Sequence, residues 1–86
     1  MRYRLEITRK AQKRIQRLPT DVRRAITETI DRLATNPRPY GCKKLRGQEN
    51  YTIRSGNYRV IYNIQDDVLV VLVIEAGHRR DIYRNL

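Results

Sequence analysis

Apolar and polar positions alternate at the start of the chain, where Tyr3, Leu5 and Ile7 fall between Arg2, Arg4 and Glu6. A two-residue period predicts a strand with one buried face. The period then changes to that of a helix. Ala11, Ile15 and Leu18 form a thin apolar stripe behind Thr8, which can cap a first helix through Leu18. Lys10, Lys13, Arg14 and Arg17 occupy its other faces and read as solvated charges. Pro19 interrupts, and Thr20 with Asp21 opens a second helix to about Ala34, with Val22, Ile26, Ile30 and Leu33 along one face. Asn36-Pro37-Arg38-Pro39 ends it, because the residue before a proline avoids the helical region.

Residues 36–42 form a loop, and Lys43 to Arg46 is a short, basic edge strand. A hairpin spans 51–64, Asp66-Asp67 turns the chain, and 68–75 is the most apolar and so the most buried strand. The order is β-α-α-β-β-β-β with a short C-terminal helix or tail. It predicts an α+β fold with a small twisted, mainly antiparallel sheet, and the two N-terminal helices packed on one face. Residues 1–86 read as one domain without repeats or linkers.

The hairpin carries the most information. Gly56-Asn57 between two alternating runs predicts a two-residue loop. That loop pairs Arg54 with Arg59, Ile53 with Val60 and Tyr51 with Tyr62. Ile53, Val60, Tyr51 and Tyr62 then share the core face, and Thr52, Arg54, Arg59 and Ile61 share the other. Like charges directly opposite on adjacent strands are destabilising. Such a pair suits an anion held between two guanidiniums, and planar bidentate donors suit phosphate.

Composition sharpens this picture. Nineteen Lys and Arg against nine Asp and Glu give a formal net charge of +10 on 86 residues, which favours a polyanionic partner or an acidic protein that masks the charge. The single cysteine, Cys42, rules out an internal disulfide and fits a reducing cytoplasm. One histidine and no CxxC argue against a zinc site, and no cofactor is expected. The N-terminus lacks the apolar core of a signal peptide, and the run at 68–74 is too short to span a bilayer, so no membrane is expected. Without Phe or Trp, tyrosines supply all the aromatic bulk, and Tyr3, Tyr58 and Tyr62 fall at core-facing positions. Near the C-terminus, Arg79 and Tyr83 lie four apart and share a face if the tail is helical. His78 is a group able to move a proton near neutral pH.

Three segments, Lys44-Leu45-Arg46-Gly47, the stretch Tyr51 to Tyr62 with its GNYRVIY core, and the Gly77–Tyr83 run GHRRDIY, resemble the RelE/ParE superfamily of toxins, and within it the RelE-like branch. The likeness covers essentially the whole chain. It implies the toxin of a type II toxin–antitoxin pair, a ribosome-dependent endoribonuclease that cuts messenger RNA in the A site. It places Arg59 as the phosphate-binding arginine, Arg79 near the leaving group, and Tyr83 stacking on the RNA. Arg54 replaces a lysine that activates the nucleophile, and Thr52 replaces a second lysine. Arg54, Arg59, Arg79 and Tyr83 are the expected catalytic set, with Lys44, Arg46, Thr52 and His78 contacting substrate. The implied partners are a RelB-like antitoxin, the ribosome and messenger RNA, with operator DNA bound mainly through the antitoxin. A ParE-like toxin that inhibits DNA gyrase without catalysis, or a passive basic RNA-binding protein, is the alternative.

Overall fold

The computed structural model describes residues 2–45, 49–78 and 80, so the expected C-terminal helix or tail lies outside the described residues. The elements follow the expected order: β1 (Arg4–Ile7), α1 (Arg9–Gln16), α2 (Thr20–Leu33), β2 (Lys43–Lys44), β3 (Asn50–Ser55), β4 (Tyr58–Gln65) and β5 (Val70–His78). The strands form one mixed sheet in the order β1-β5-β4-β3-β2. Only the β1–β5 pair is parallel, with Arg4 opposite Val70 and Ile7 opposite Val73.

Thr8 starts α1 as its sequence position predicts. Its hydroxyl accepts from Ala11 N at 3.1 Å and donates to the Ile74 carbonyl at 2.8 Å, so one side chain caps the helix and ties it to β5. The helix is two residues shorter than expected, because the chain turns at Arg17 ahead of Pro19. Ala11 and Ile15 from α1 meet Ile26, Ile30 and Leu33 from α2 over Tyr51, Val60, Tyr62, Ile64, Val71, Val73 and Ala76 of the sheet. Removing that apolar surface from water is the main force holding the helices to this face.

The last strand departs from expectation at both ends. It begins at Val70, not Val68, because Gln65 pairs with Val70 and residues 66–69 form the turn. Leu69 takes a left-handed conformation there (φ 55°) and Val68 is exposed. At the other end the strand runs on through His78, which pairs with Tyr58. Within it lies a bulge: Tyr62 faces Val73 and Ile61 faces Glu75, leaving Ile74 without an opposite residue.

The loop at 36–42 is fastened to the sheet by polar contacts that bridge long sequence separations. The buried Tyr62 hydroxyl donates to the Pro37 carbonyl at 2.7 Å. Arg38 grips Asp66 with both terminal nitrogens, at 3.2 and 2.8 Å, while its Nε donates to the Tyr51 hydroxyl at 3.1 Å. Tyr3 donates to the same Asp66 carboxylate at 2.6 Å. The bidentate guanidinium, and then the Tyr3 hydroxyl, hold the Asp66 carboxyl down at about 2.

A carboxylate with a lowered pKa stabilises the fold above its ordinary value of 3.8, and that contribution disappears as pH falls towards about 2. Asp66→Asn should therefore lower the thermal midpoint at neutral pH and flatten the acid limb of stability between those values. Calorimetry of both proteins across that range checks it. Parallel pH profiles would mean that Asp66 is not linked to folding.

Candidate functional site

The β3–β4 hairpin has the register its sequence predicts, with Arg54 opposite Arg59, Thr52 opposite Ile61 and Tyr51 opposite Tyr62. Gly56 makes this possible. It sits at φ +61° as the first residue of the two-residue loop, a conformation that costs glycine little and other residues more. Arg54 leans over this turn and donates from Nε to the Gly56 carbonyl at 3.0 Å.

Two of the rows that pairing carries across the face opposite the helices bear on the site. One runs Lys43, Thr52, Ile61, Glu75; the other runs Arg54, Arg59, Gly77. Lys43 and Arg54 are exposed, Arg59 is half-buried, and Thr52, Ile61 and Glu75 are buried. The buried Thr52 hydroxyl has no hydrogen-bond partner among the described residues. Lys43 at one end of the first row and the two guanidiniums of the second thus lie beside the buried Thr52 and Ile61, which water reaches poorly and where attraction for an anion is stronger than in open solvent.

Glu75 is the carboxylate of the first of these rows, and α1 neutralises it. Lys10 Nζ lies 3.0 Å from Oε2, Arg14 Nε lies 3.7 Å from Oε1, and Oε1 accepts from Ala76 N at 3.2 Å. Lys10 is thus not the free solvated charge that its helix position predicts. The reason is tertiary: β1 pairs with β5 only as far as Val73, and Thr8 ties the start of α1 to β5 just beyond it.

Two expected contributors lie elsewhere. His78 is in register with Tyr58, and the two rings meet edge to face at 5.4 Å. Tyr58 packs against the core, so His78 belongs to the helix side of the sheet and not with the arginines. Its Nδ1 accepts from Arg80 N at 3.3 Å. Lys44 is in register with Tyr51, also on the helix side, and pairs with Glu49 at 3.0 Å. That contact raises the Lys44 pKa and lowers that of Glu49. The lysine on the arginine face is its neighbour Lys43, which the sequence reading passed over. Arg46, Arg79 and Tyr83 lie outside the described residues.

Among the described residues no three His, Cys, Asp or Glu side chains are grouped to hold a metal ion, and no helix is long and apolar enough to cross a membrane.

A family model described as the ParE toxin of type II toxin–antitoxin systems (parDE) matches residues 5–83. The chain is 32% identical to Toxin RelG of Mycobacterium tuberculosis, over 98% of this chain and 99% of that protein. It is 32% identical to the mRNA interferase toxin RelE of Escherichia coli, over 92% of this chain and 85% of that one. Its fold is similar to that in the crystal structure of the archaeal RelE–RelB complex from Pyrococcus horikoshii, with a TM-score of 0.82, 32% identity, and 92% and 97% of the two chains covered.

The Glu75 pairing separates two lysines that look alike in sequence. Lys10→Ala should destabilise the fold by about 1 kcal/mol, since Lys10 is itself exposed and Arg14 still faces the buried carboxylate. Lys13→Ala, on an exposed position of the same helix, should change little. Urea unfolding of the two variants measures the difference. Equal midpoints would leave Lys10 a surface charge.

Proposed function

The chain belongs to the ParE toxin family of type II toxin–antitoxin systems, in its RelE-like branch, and we propose that its activity is ribosome-dependent cleavage of messenger RNA in the A site. The observation that carries this reading is the Arg54–Arg59 pair on the face opposite the helices, with Lys43 beside it. The named function of the Escherichia coli relative, an mRNA interferase, agrees with it.

In the proposed reaction the RNA 2′-hydroxyl attacks the adjacent phosphorus, the bond to the 5′-oxygen breaks, and the products are a 2′,3′-cyclic phosphate and a 5′-hydroxyl. Arg59 holds the phosphoryl oxygens. Arg54 stays protonated, so it stabilises developing negative charge and does not act as the base. Lys43 supplies a third cation next to Thr52, the position where the resemblance calls for a lysine. Arg79 and Tyr83 complete the set as leaving-group and stacking residues. His78 receives no role at the reacting phosphate, because its ring is on the other side of the sheet. Positioning and fixed charge do the catalytic work, with no metal ion required.

The partner proposed for this chain is a RelB-like antitoxin, as in the Pyrococcus horikoshii complex. A small acidic or amphipathic protein would neutralise much of the +10 charge. Operator DNA would be contacted mainly through that antitoxin, and the toxin would act in the cytoplasm.

Induction without a partner should halt translation and leave messages cut within codons in the A site, as mapped by 5′ ends. Intact messages with inhibited supercoiling would instead assign the chain to gyrase inhibition, the activity of ParE-like toxins. In single-turnover cleavage on programmed ribosomes, Arg59→Ala should cost on the order of 3 kcal/mol, about a hundredfold in rate. Lys43→Ala should also slow cleavage, whereas Lys13→Ala and His78→Gln should not, with the pH profile of His78→Gln matching wild type. If Arg59→Ala and Lys13→Ala cut equally fast, the charge is diffuse and the site is wrong.

A further inference from the structure

Beside the arginine face, around the edge of β3, lies a concavity of about 410 Å³ lined by Thr29, Arg32, Tyr40, Gly41, Ile53 and Arg54. It exists because β2 pairs only with Tyr51 and Thr52, so beyond Thr52 the edge of β3 turned away from β4 has no partner strand and the loop carrying Tyr40 and Gly41 runs past it. Its volume falls in the range of small-ligand sites. Its chemistry sets it apart. Arg32, in the last turn of α2, and Arg54 have no carboxylate partner among the described residues, and no acidic side chain lines the space. Two other concavities, by contrast, are lined in part by Asp31 and by Asp21.

Tyr40 is the second observation. It is fully exposed, at 105% of its reference area, while Tyr51 and Tyr62 are buried and Tyr3 and Tyr58 pack against the core. An aromatic ring beside two guanidiniums provides what one nucleotide of a single strand needs: cations for the phosphate and a flat surface for the base. Arg54 joins the concavity to the proposed cleavage face, since it belongs to the Arg54–Arg59 row and is also one of the residues that line the concavity.

We propose that this concavity is a second nucleotide subsite, which takes one nucleotide of single-stranded RNA with its phosphate between Arg32 and Arg54 and its base stacked on Tyr40. The inference rests on the reading of the chain as an RNA-cleaving toxin, and it adds a contact outside the reacting phosphate. A strand gripped there would be fixed in register across Arg59.

The test is binding of a fluorescein-labelled, 2′-O-methylated single-stranded oligonucleotide to the full chain, followed by anisotropy. Its blocked 2′-oxygens keep it from being cut, so affinity is read apart from cleavage. Tyr40→Ala and Arg32→Ala should each weaken binding about tenfold, and Tyr40→Phe should bind as wild type because the ring remains. Arg32→Ala should also reduce the salt dependence by about one phosphate contact. Unchanged affinity in Tyr40→Ala, or equal losses in Tyr40→Phe and Tyr40→Ala, would overturn the subsite. A protein that binds through Tyr40 yet cuts no message keeps the subsite and loses the cleavage reading. One that cuts while Tyr40→Ala binds normally does the reverse. Chemical footprints on programmed ribosomes then tell the source of the strand, since protection lost in Tyr40→Ala falls on either messenger or ribosomal RNA.

Discussion

One inserted residue in β5 decides what each face of the sheet contains. Ile74 has no opposite number on β4, so the alternation set by Val71 and Val73 shifts by one position beyond it. Ala76 then joins the core, while Glu75 and Gly77 turn to the arginine face. Without the bulge, the inward alternation of Val71 and Val73 would continue through Glu75 and put a carboxylate among the apolar side chains of α1 and α2. Burying an uncompensated charge there would cost several kcal/mol. The bulge instead gives Glu75 to Lys10 and Arg14 at the sheet's edge.

The same shift governs the candidate site. Gly77 follows Arg59 in its row, so the β5 residue directly opposite that arginine contributes no side chain. His78 moves to the opposite face, where Tyr58 takes up its ring. A cation-rich face without the histidine fits chemistry driven by positioning and fixed charge, and fits poorly a mechanism in which an imidazole passes protons to the RNA.

Rigidity on the other side of the hairpin comes from Arg38, whose guanidinium ties the 36–42 loop to Asp66 and Tyr51 at once. The Tyr51 and Tyr62 rings stack at 5.9 Å beneath it, and the Tyr62 hydroxyl holds Pro37. This clasp fixes the loop that leads into β2, and with it the place of Lys43 and Tyr40. The tyrosines that replace Phe and Trp in this small core thus pack with their rings and fasten a loop with their hydroxyls.

The sequence alone determined the element order, the helix face that is buried and the hairpin register, because each depends on local spacing. Alternation from Tyr51 to Tyr62 with Gly56-Asn57 between leaves one pairing, and so Arg54 opposite Arg59 was legible in full. What lay beyond local spacing was decided by tertiary structure. A bulge depends on how β5 fits both β4 and the start of α1, so neither the side of His78 nor the partner of Lys10 follows from the order of residues. A strand of two residues carries no period, so which of Lys43 and Lys44 reaches the arginine face had to wait for its pairing with β3. Arg38, Asp66 and Tyr3 are separated by up to 63 residues, and only the folded sheet brings the three into contact.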